Sequence, residues 1–302
     1  MDRPTLYITR LLPQAVMDAI PQHYRVLADS TDRPATAHEL GHGFSQADAV
    51  ICTLADRIDA SILSQAIKLK IVANYAVGYN NIDLSTAAQR GFIVTNTPDV
   101  LTDATADLTW ALLLGVARRV AEGDALVRTG HWTGWAPTQM LGTDVTGKTL
   151  GIVGMGRIGQ AVAYRATGRM SVLYTGRHAV SSPPGVSWTR QPLDAVLTRS
   201  DYLSLHVPLT DTTRHLIGQR ELALMEVHGL SHQHLARTSH RLSRSALLAA
   251  LEAGTIAGAG LDVYDTRTSG FPCSVLAAEC GPSSPSSVLP SSRRVSDEAY
   301  LS

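Results

Sequence analysis

Two α/β domains, each a doubly wound parallel sheet, are what this sequence predicts, and three observations carry that prediction. Short Ile- and Val-rich runs alternate with segments of helical spacing through the first hundred residues. The same alternation resumes at Gly147, and Lys148–Gln160 joins a strand, a glycine turn and a helix start in one stretch. Alternation at this pitch argues for parallel strands with helices on both faces. At 302 residues the chain is too long for one small core and suits two domains.

In order, Thr5–Thr9, Tyr24–Ala28, Ala49–Thr53, Ile71–Tyr75 and Ile93–Asn96 read as strands. Leu12–Ile20, Ile58–Ala66 and Ser85–Gln89 carry helical spacing between them. Asp99–Arg119 is a long, largely apolar helix suited to a connection between domains. A short second helix follows it, and then Thr129–Gln139 as an irregular crossing with Gly130, Trp132, Gly134, Trp135 and Pro137. The second unit takes its strands from Leu150–Val153, Val172–Thr175, Tyr202–Leu205 and Gly258–Val263.

Lys148–Gln160 carries the chemistry. After the apolar run Thr149–Val153, Gly154, Gly156 and Gly159 fall in the spacing G-x-G-x-x-G, with Arg157 and Ile158 between the last two, and Gln160–Arg169 reads as a helix. In that context the first glycine permits a tight turn, the second lets backbone approach a pyrophosphate, and the third lets helix pack on strand. The diphosphate would lie on the N–H groups and positive dipole end of the helix. An ordinary Gly-rich turn is the bland alternative; the flanking strand and helix favour nucleotide. The next strand, Ser171–Thr175, ends in Gly176-Arg177-His178. An NAD site usually places an acid there for the ribose 2′-OH, and none is present. Arg177 offers a fork suited to a 2′-phosphate, unless it is only a solvated turn residue. The reading is NADP(H), with NAD as the alternative.

Lys+Arg and Asp+Glu both number 26, so no basic stripe points to nucleic acid or an anionic membrane. Met1-Asp2-Arg3-Pro4 opens no signal segment, and the longest apolar stretch, Leu108–Ala117, is about half a membrane span. Cys52, Cys273 and Cys280 make neither a disulfide framework nor a metal spacing. A soluble, cytoplasmic protein is expected.

The pieces Asn74–Asp83 (N-Y-A-V-G-Y-N-N-I-D), Asn96-Thr97-Pro98, Thr102–Asp107, the fingerprint at 151–160, Ser204–Thr210 and Gly258–Tyr264 stand in an order and spacing that resembles the D-isomer-specific 2-hydroxyacid dehydrogenases, closest to the glyoxylate/hydroxypyruvate reductase branch. The resemblance implies a flavodoxin-like substrate domain over 1–98, an inserted Rossmann domain over 99–265, and a homodimer acting on a small 2-keto or 2-hydroxy acid. It makes Val77 and Gly78 the loop whose backbone N–H groups hold the substrate carboxylate, although Gly78 could simply make a turn. Thr105 resembles a residue beside the nicotinamide, or else a helix-start Thr bonded to backbone. His206 and Pro208 resemble the wall beside the adenine, with His206 read as a packed histidine rather than an acid. Asp262 matches the acid that orients the nicotinamide amide. The chemistry implied is hydride transfer, helped by an Arg, a His and a Glu.

None of those three stands where the resemblance requires it, so no catalytic residue is assigned. The Arg belongs in a strand soon after Met225, where residues 226–244 are rich in His and Ser instead. His228, His232, His234 and His240 have no acid or cysteine partners nearby, and no metal is expected. The Glu and His belong after Tyr264, where the tail is Ser-rich. Codon overlap offers an explanation. Leu230–Arg237 can be encoded so that the frame one base later reads Y-L-I-N-T-S-R, and Thr268–Ser286 so that the next frame contains E-P and P-H. On this reading the chain carries frameshifts near 226–244 and after 265. Residues 226–244 and 266–302 should then not pack as family elements, the latter forming a disordered tail, while 245–265 should. Lost apolar strand residues, at about 1.5–3 kcal/mol each, would rival a domain stability of roughly 5–15 kcal/mol. The alternative is a catalytically dead dinucleotide-binding module.

Overall fold

Runs of three or four mostly apolar residues form the strands of the first unit. A computed structural model of the chain describes residues 3–28, 33–225 and 242–262, together with the backbone of strands at 234–238 and 275–277. The chain divides into two units, Met1–Leu101 and Thr102–Ser302.

In the first unit, β1 (Thr5–Ile8), β2 (Arg25–Ala28), β3 (Ala49–Cys52), β4 (Ile71–Asn74) and β5 (Ile93–Thr95) pair in parallel in the order β2-β1-β3-β4-β5. This is the flavodoxin-like doubly wound order. The helices are α1 (Gln14–Ala19), α2 (Ala37–Gln46), α3 (Ala60–Gln65) and α4 (Leu84–Gln89). Tyr7, Phe44, Val50, Ile62, Leu63 and Val72 share its core. β1 and β3 each stop one residue before the predicted end. There Thr9 Oγ1 donates to the buried Asp56 carboxylate at 2.6 Å, and Thr53 donates to it through N and Oγ1 at 2.7 and 3.0 Å. Sequence spacing did not predict α2. Its start is nonetheless written in polar residues: Glu39 N donates to the Thr36 side chain, while the Glu39 carboxylate accepts from Thr36 N at 2.7 Å.

The second unit contains α5 (Thr102–Ala117), α6 (Val120–Arg128), β6 (Thr149–Val153), α7 (Arg157–Arg165), β7 (Ser171–Thr175), β8 (Trp188–Arg190), α8 (Leu193–Arg199), β9 (Tyr202–Leu205), α9 (Gln219–Met225), β10 (His234–Thr238), α10 (Arg244–Glu252), β11 (Gly258–Leu261) and β12 (Val275–Ala277). Its seven strands pair in the order β12-β11-β10-β9-β6-β7-β8, all parallel. The order reverses between β6 and β9, which makes their C-terminal ends the switch point where such sheets take ligands. Alternate strand residues serve opposite faces, as the pleat requires. Leu150, Ile152, Val172, Tyr174 and Tyr202 pack with Trp110 and Leu113, whereas Val153, Leu173, Leu203 and Leu205 pack with Val196, Leu197 and Leu247. α5 is shorter than the predicted Asp99–Arg119 because both of those end residues sit in left-handed backbone, φ 72° and 54°. α7 begins within the glycine motif and ends at Arg165, earlier than predicted. Among the described residues no helix is long and apolar enough to cross a membrane.

Two expectations are corrected here. Residues 234–238, expected to stay outside the sheet, form β10. His234, Leu235 and Ala236 align with Tyr202–Ser204 on one side and with Gly258–Gly260 on the other. The tail expected to lack structure contributes β12, paired with Ala259–Leu261 of β11. The physical reason is that a ladder uses only backbone N–H and C=O groups, which every non-proline residue supplies. The rest of 226–241 and 263–302 lies outside the described residues.

Candidate functional site

At the end of β6 the backbone of Gly154 has φ +100°, and a Cβ there would come within 2.6 Å of Val207 N and 2.7 Å of His206 C. No other residue fits both the angle and the space. A Cβ on Gly159 would meet Gly154 O at 2.2 Å, so helix α7 lies directly on the turn. A Cβ on Gly156 would meet nothing within 4 Å. The middle glycine thus borders open space, which is where backbone must approach a pyrophosphate. Gly156 is also the N-cap of α7 and supplies no side-chain acceptor. Arg157, Ile158 and Gly159 therefore begin a nine-residue helix whose first-turn N–H groups and dipole suit an anion. These residues fit a dinucleotide.

The strand after the fingerprint ends as predicted, without an acid. Gly176 is half-buried and Arg177 exposed. The Arg177 guanidinium has no hydrogen-bond or ion-pair partner among the described residues. Arg190, at the end of β8, donates through Nη2 to the carbonyls of Gly176 at 2.8 Å and Arg177 at 3.2 Å. Spacing in the sequence gave no sign of this second cation at the loop. A Cβ on Gly176 would have 3.6 Å of clearance from Met155 N, so an added side chain is tolerated there.

Across the switch point, His206 N donates to Val153 O at 2.7 Å, and its Nε2 lies 2.8 Å from Ser204 Oγ. Pro208 is exposed, and its carbonyl accepts from Thr213 Oγ1 at 2.5 Å. Asp262 is 6% exposed and follows β11 directly. Thr105 is half-buried in the first turn of α5. Its carbonyl accepts from Thr109 Oγ1 at 2.8 Å, while its own hydroxyl bonds nothing among the described residues. Gly154, Gly156, His206 and Pro208 therefore share the C-terminal edge of adjacent strands β6 and β9.

In the first unit, Val77 and Gly78 follow β4 and are both half-buried. Their carbonyls are held from outside the loop: Asn96 Nδ2 donates to Val77 O at 2.9 Å and Asn74 Nδ2 to Gly78 O at 2.8 Å. Asn74 is buried and pairs its amide with that of Asn81, at 3.2 and 3.3 Å. Asn81 in turn donates to the carbonyls of Thr53 at 3.0 Å and Asp56 at 3.2 Å. Sequence reasoning assigned none of these asparagines a role. Their only signal was membership of the segments Asn74–Asp83 and Asn96-Thr97-Pro98 that carry the family resemblance. Cys52, beneath Asn74, has its thiol pushed up to about 12 by burial and by the nearby Asp56, so it makes no nucleophile.

Known proteins with the same features are numerous. A family model described as the D-isomer specific 2-hydroxyacid dehydrogenase, NAD binding domain, matches residues 110–287. The glyoxylate reductase of Thermococcus gammatolerans is 44% identical over 269 residues, covering 87% of this chain and 80% of that protein. A protein of Thermus thermophilus superimposes with a TM-score of 0.81 at 40% identity, over 90% of this chain and 88% of the other. The NADPH-dependent glyoxylate/hydroxypyruvate reductase of Sinorhizobium meliloti, solved with NADP and malonate, does so with a TM-score of 0.77 at 29% identity, over 91% and 86%. With its glycine cradle at the switch point of a parallel sheet and likeness of this extent, the chain belongs to the D-isomer-specific 2-hydroxyacid dehydrogenase family.

Proposed function

We propose that this chain is an NADPH-linked, D-specific reductase of a small 2-keto acid of the glyoxylate or hydroxypyruvate type. The chain is an NAD(P)-dependent oxidoreductase of the 2-hydroxyacid class. The dead-module alternative draws no support from relatives named as reductases. One observation carries the cofactor choice, namely Gly176-Arg177 with Arg190 bonded beneath, where an acid would favour NAD.

Residues 1–98 form the substrate domain on this reading and 99–265 the nucleotide domain. Gly154, Gly156, Arg157, Ile158 and Gly159 hold the pyrophosphate, Arg177 the 2′-phosphate, and His206 and Pro208 wall the adenine. Thr105 and Asp262 face the nicotinamide. When bound, the cofactor supplies a hydride to the substrate's C2. The chain's share is to hold the carboxylate on the N–H groups of Val77 and Gly78, rigid donors that need no side-chain ordering. The Arg, His and Glu of the family belong in 226–302. The proposal that a frame slip hides them rests on codon overlap and has lost one support, since β10 forms in the written frame.

Exposed Val120, Val127, Trp132, Trp135 and Leu141 on and after α6 support a homodimer; a monomer mass by light scattering would overturn that. Cofactor titration tests the main reading. NADPH should bind about tenfold or more tighter than NADH, and the double variant Gly176→Asp, Arg177→Ala should reverse the order. Equal affinities in the parent chain would defeat the NADPH assignment.

A further inference from the structure

Asn96-Thr97-Pro98 and the amides of Asn74 and Asn81 have no part in the chemistry so far, yet they surround one loop. Thr97 N donates to Ala76 O at 2.9 Å, and Asn96 Nδ2 donates to Val77 O at 2.9 Å. A peptide unit is planar, with its N–H pointing opposite its C=O. Two consecutive carbonyls drawn toward the dipeptide Asn96-Thr97 therefore turn the N–H groups of Val77 and Gly78 away from it. Neither N–H has an acceptor among the described residues. The next carbonyl, that of Gly78, is taken by Asn74, whose amide is locked by Asn81 onto the backbone of Thr53 and Asp56. Pro98 biases Thr97 toward extended backbone. Gly78 is not among the residues at positive φ, so its backbone angle alone does not account for the loop's orientation.

We propose that Asn96, with Asn74 behind it, is a positioning residue that aims the Val77 and Gly78 N–H groups at the substrate carboxylate. This rests on the reading of Val77–Gly78 as the carboxylate loop. Asn96 touches no reacting atom. It removes the freedom of the Val77–Gly78 peptide to rotate, so that donors are already oriented when the anion arrives.

The test uses the full chain loaded with NADPH and titrated calorimetrically with oxamate, an unreactive carboxylate analogue of a 2-keto acid, and with its neutral diamide, oxamide. The parent should prefer oxamate. Asn96→Ala should weaken oxamate by about tenfold, the worth of one well-placed hydrogen bond, with NADPH affinity and thermal midpoint little changed. Asn96→Asp keeps the shape but offers no donor at neutral pH and adds a negative charge, so it should lose at least as much. A merely structural role predicts that oxamate and NADPH affinity fall together, or that Asp substitutes without loss. Either result, or unchanged oxamate affinity in both variants, would overturn the proposal. A parent chain that fails to prefer oxamate over oxamide would instead defeat the carboxylate-loop reading beneath it.

Discussion

β9 and β10 lie side by side and parallel in one sheet, yet only β9 is legible in its residues. β9 reads Tyr202-Leu203-Ser204-Leu205; all four are buried, with Tyr202 on one core face and Leu203 and Leu205 on the other. β10 reads His234-Leu235-Ala236-Arg237-Thr238, a sequence with no strand period, and takes its place between β9 and β11 all the same. The difference separates two ways of specifying a strand. Side chains can demand burial on both faces, or two neighbours can each present an unpaired row of N–H and C=O groups that any passing backbone satisfies. The first mode leaves a mark in sequence and the second leaves almost none.

The largest effect expected comes from changing β10 itself. If the coding DNA carries the inferred slips, resequencing codons 220–302 will reveal them, and the restored frame reads Y-L-I-N-T-S-R over 230–237, placing an apolar start before β10 and an Arg within it. A chain rebuilt in that frame regains the proton donor as well. It should reduce glyoxylate with NADPH about a hundredfold or more faster than the chain as written, the usual worth of general acid catalysis. DNA that agrees with the written frame, together with turnover of the written chain in the ordinary range of about 1–10³ s⁻¹, would break the frame-slip account. β10 would then be a native strand held chiefly by its ladder.

Within the written chain, truncation of a β9 side chain tests the other half of the contrast. Leu203 is fully buried, so Leu203→Ala should cost about 2–5 kcal/mol of unfolding free energy in denaturant titration. Ala236→Pro removes an N–H from β10 with little change in apolar volume. It should cost less, about 1–3 kcal/mol for the backbone group left unpaired. If Ala236→Pro is silent, β10 contributes nothing to the stability of its sheet, and the ladder explanation fails.

The same contrast explains what could be read in advance. The first sheet, to within a residue or two per strand, and β6, β7, β9 and β11 of the second followed from apolar runs such as Ile71-Val72-Ala73-Asn74, because strands covered on both faces favour such residues; β8, Trp188-Thr189-Arg190, has no such run. Gly154, Gly156 and Gly159 were legible because each answers a separate steric need, which the structure shows as a positive φ, an open side and a site with no room for a Cβ. α2 was missed because its signal is the capping pair Thr36 and Glu39 rather than an apolar period. Arg190 could not be found from spacing, since what brings it to Gly176 and Arg177 is the pairing of β8 with β7. Asn74 and Asn96 stand in segments that carry the family resemblance, but only the hydrogen bonds show which peptides they hold.

The smallest effect expected concerns a helix start whose signal lies in a polar side chain, as at α2. Asp83 caps α4: its carboxylate accepts from Ser85 Oγ at 2.7 Å, from Thr86 N at 3.0 Å and from Thr86 Oγ1 at 2.7 Å. Those bonds, that from the Ser85 hydroxyl foremost, lower its pKa from the ordinary carboxylate value to about 2. A depressed folded pKa means that the ionised cap stabilises the fold above the unfolded carboxylate's pKa and that this share is lost as pH falls through about 2. Asp83→Asn keeps an acceptor oxygen, since Asn is itself a good N-cap, and loses only the charge. Its denaturation midpoint should therefore lie slightly below the parent's near pH 6. The gap should close steadily between pH 4 and pH 2, the range between the ordinary value of about 4 and the depressed one. Because the cap is only half-buried, salt should shrink the gap as well. A difference that stays constant from pH 6 to pH 2 would mean that hydrogen-bond geometry, rather than charge, carries the cap.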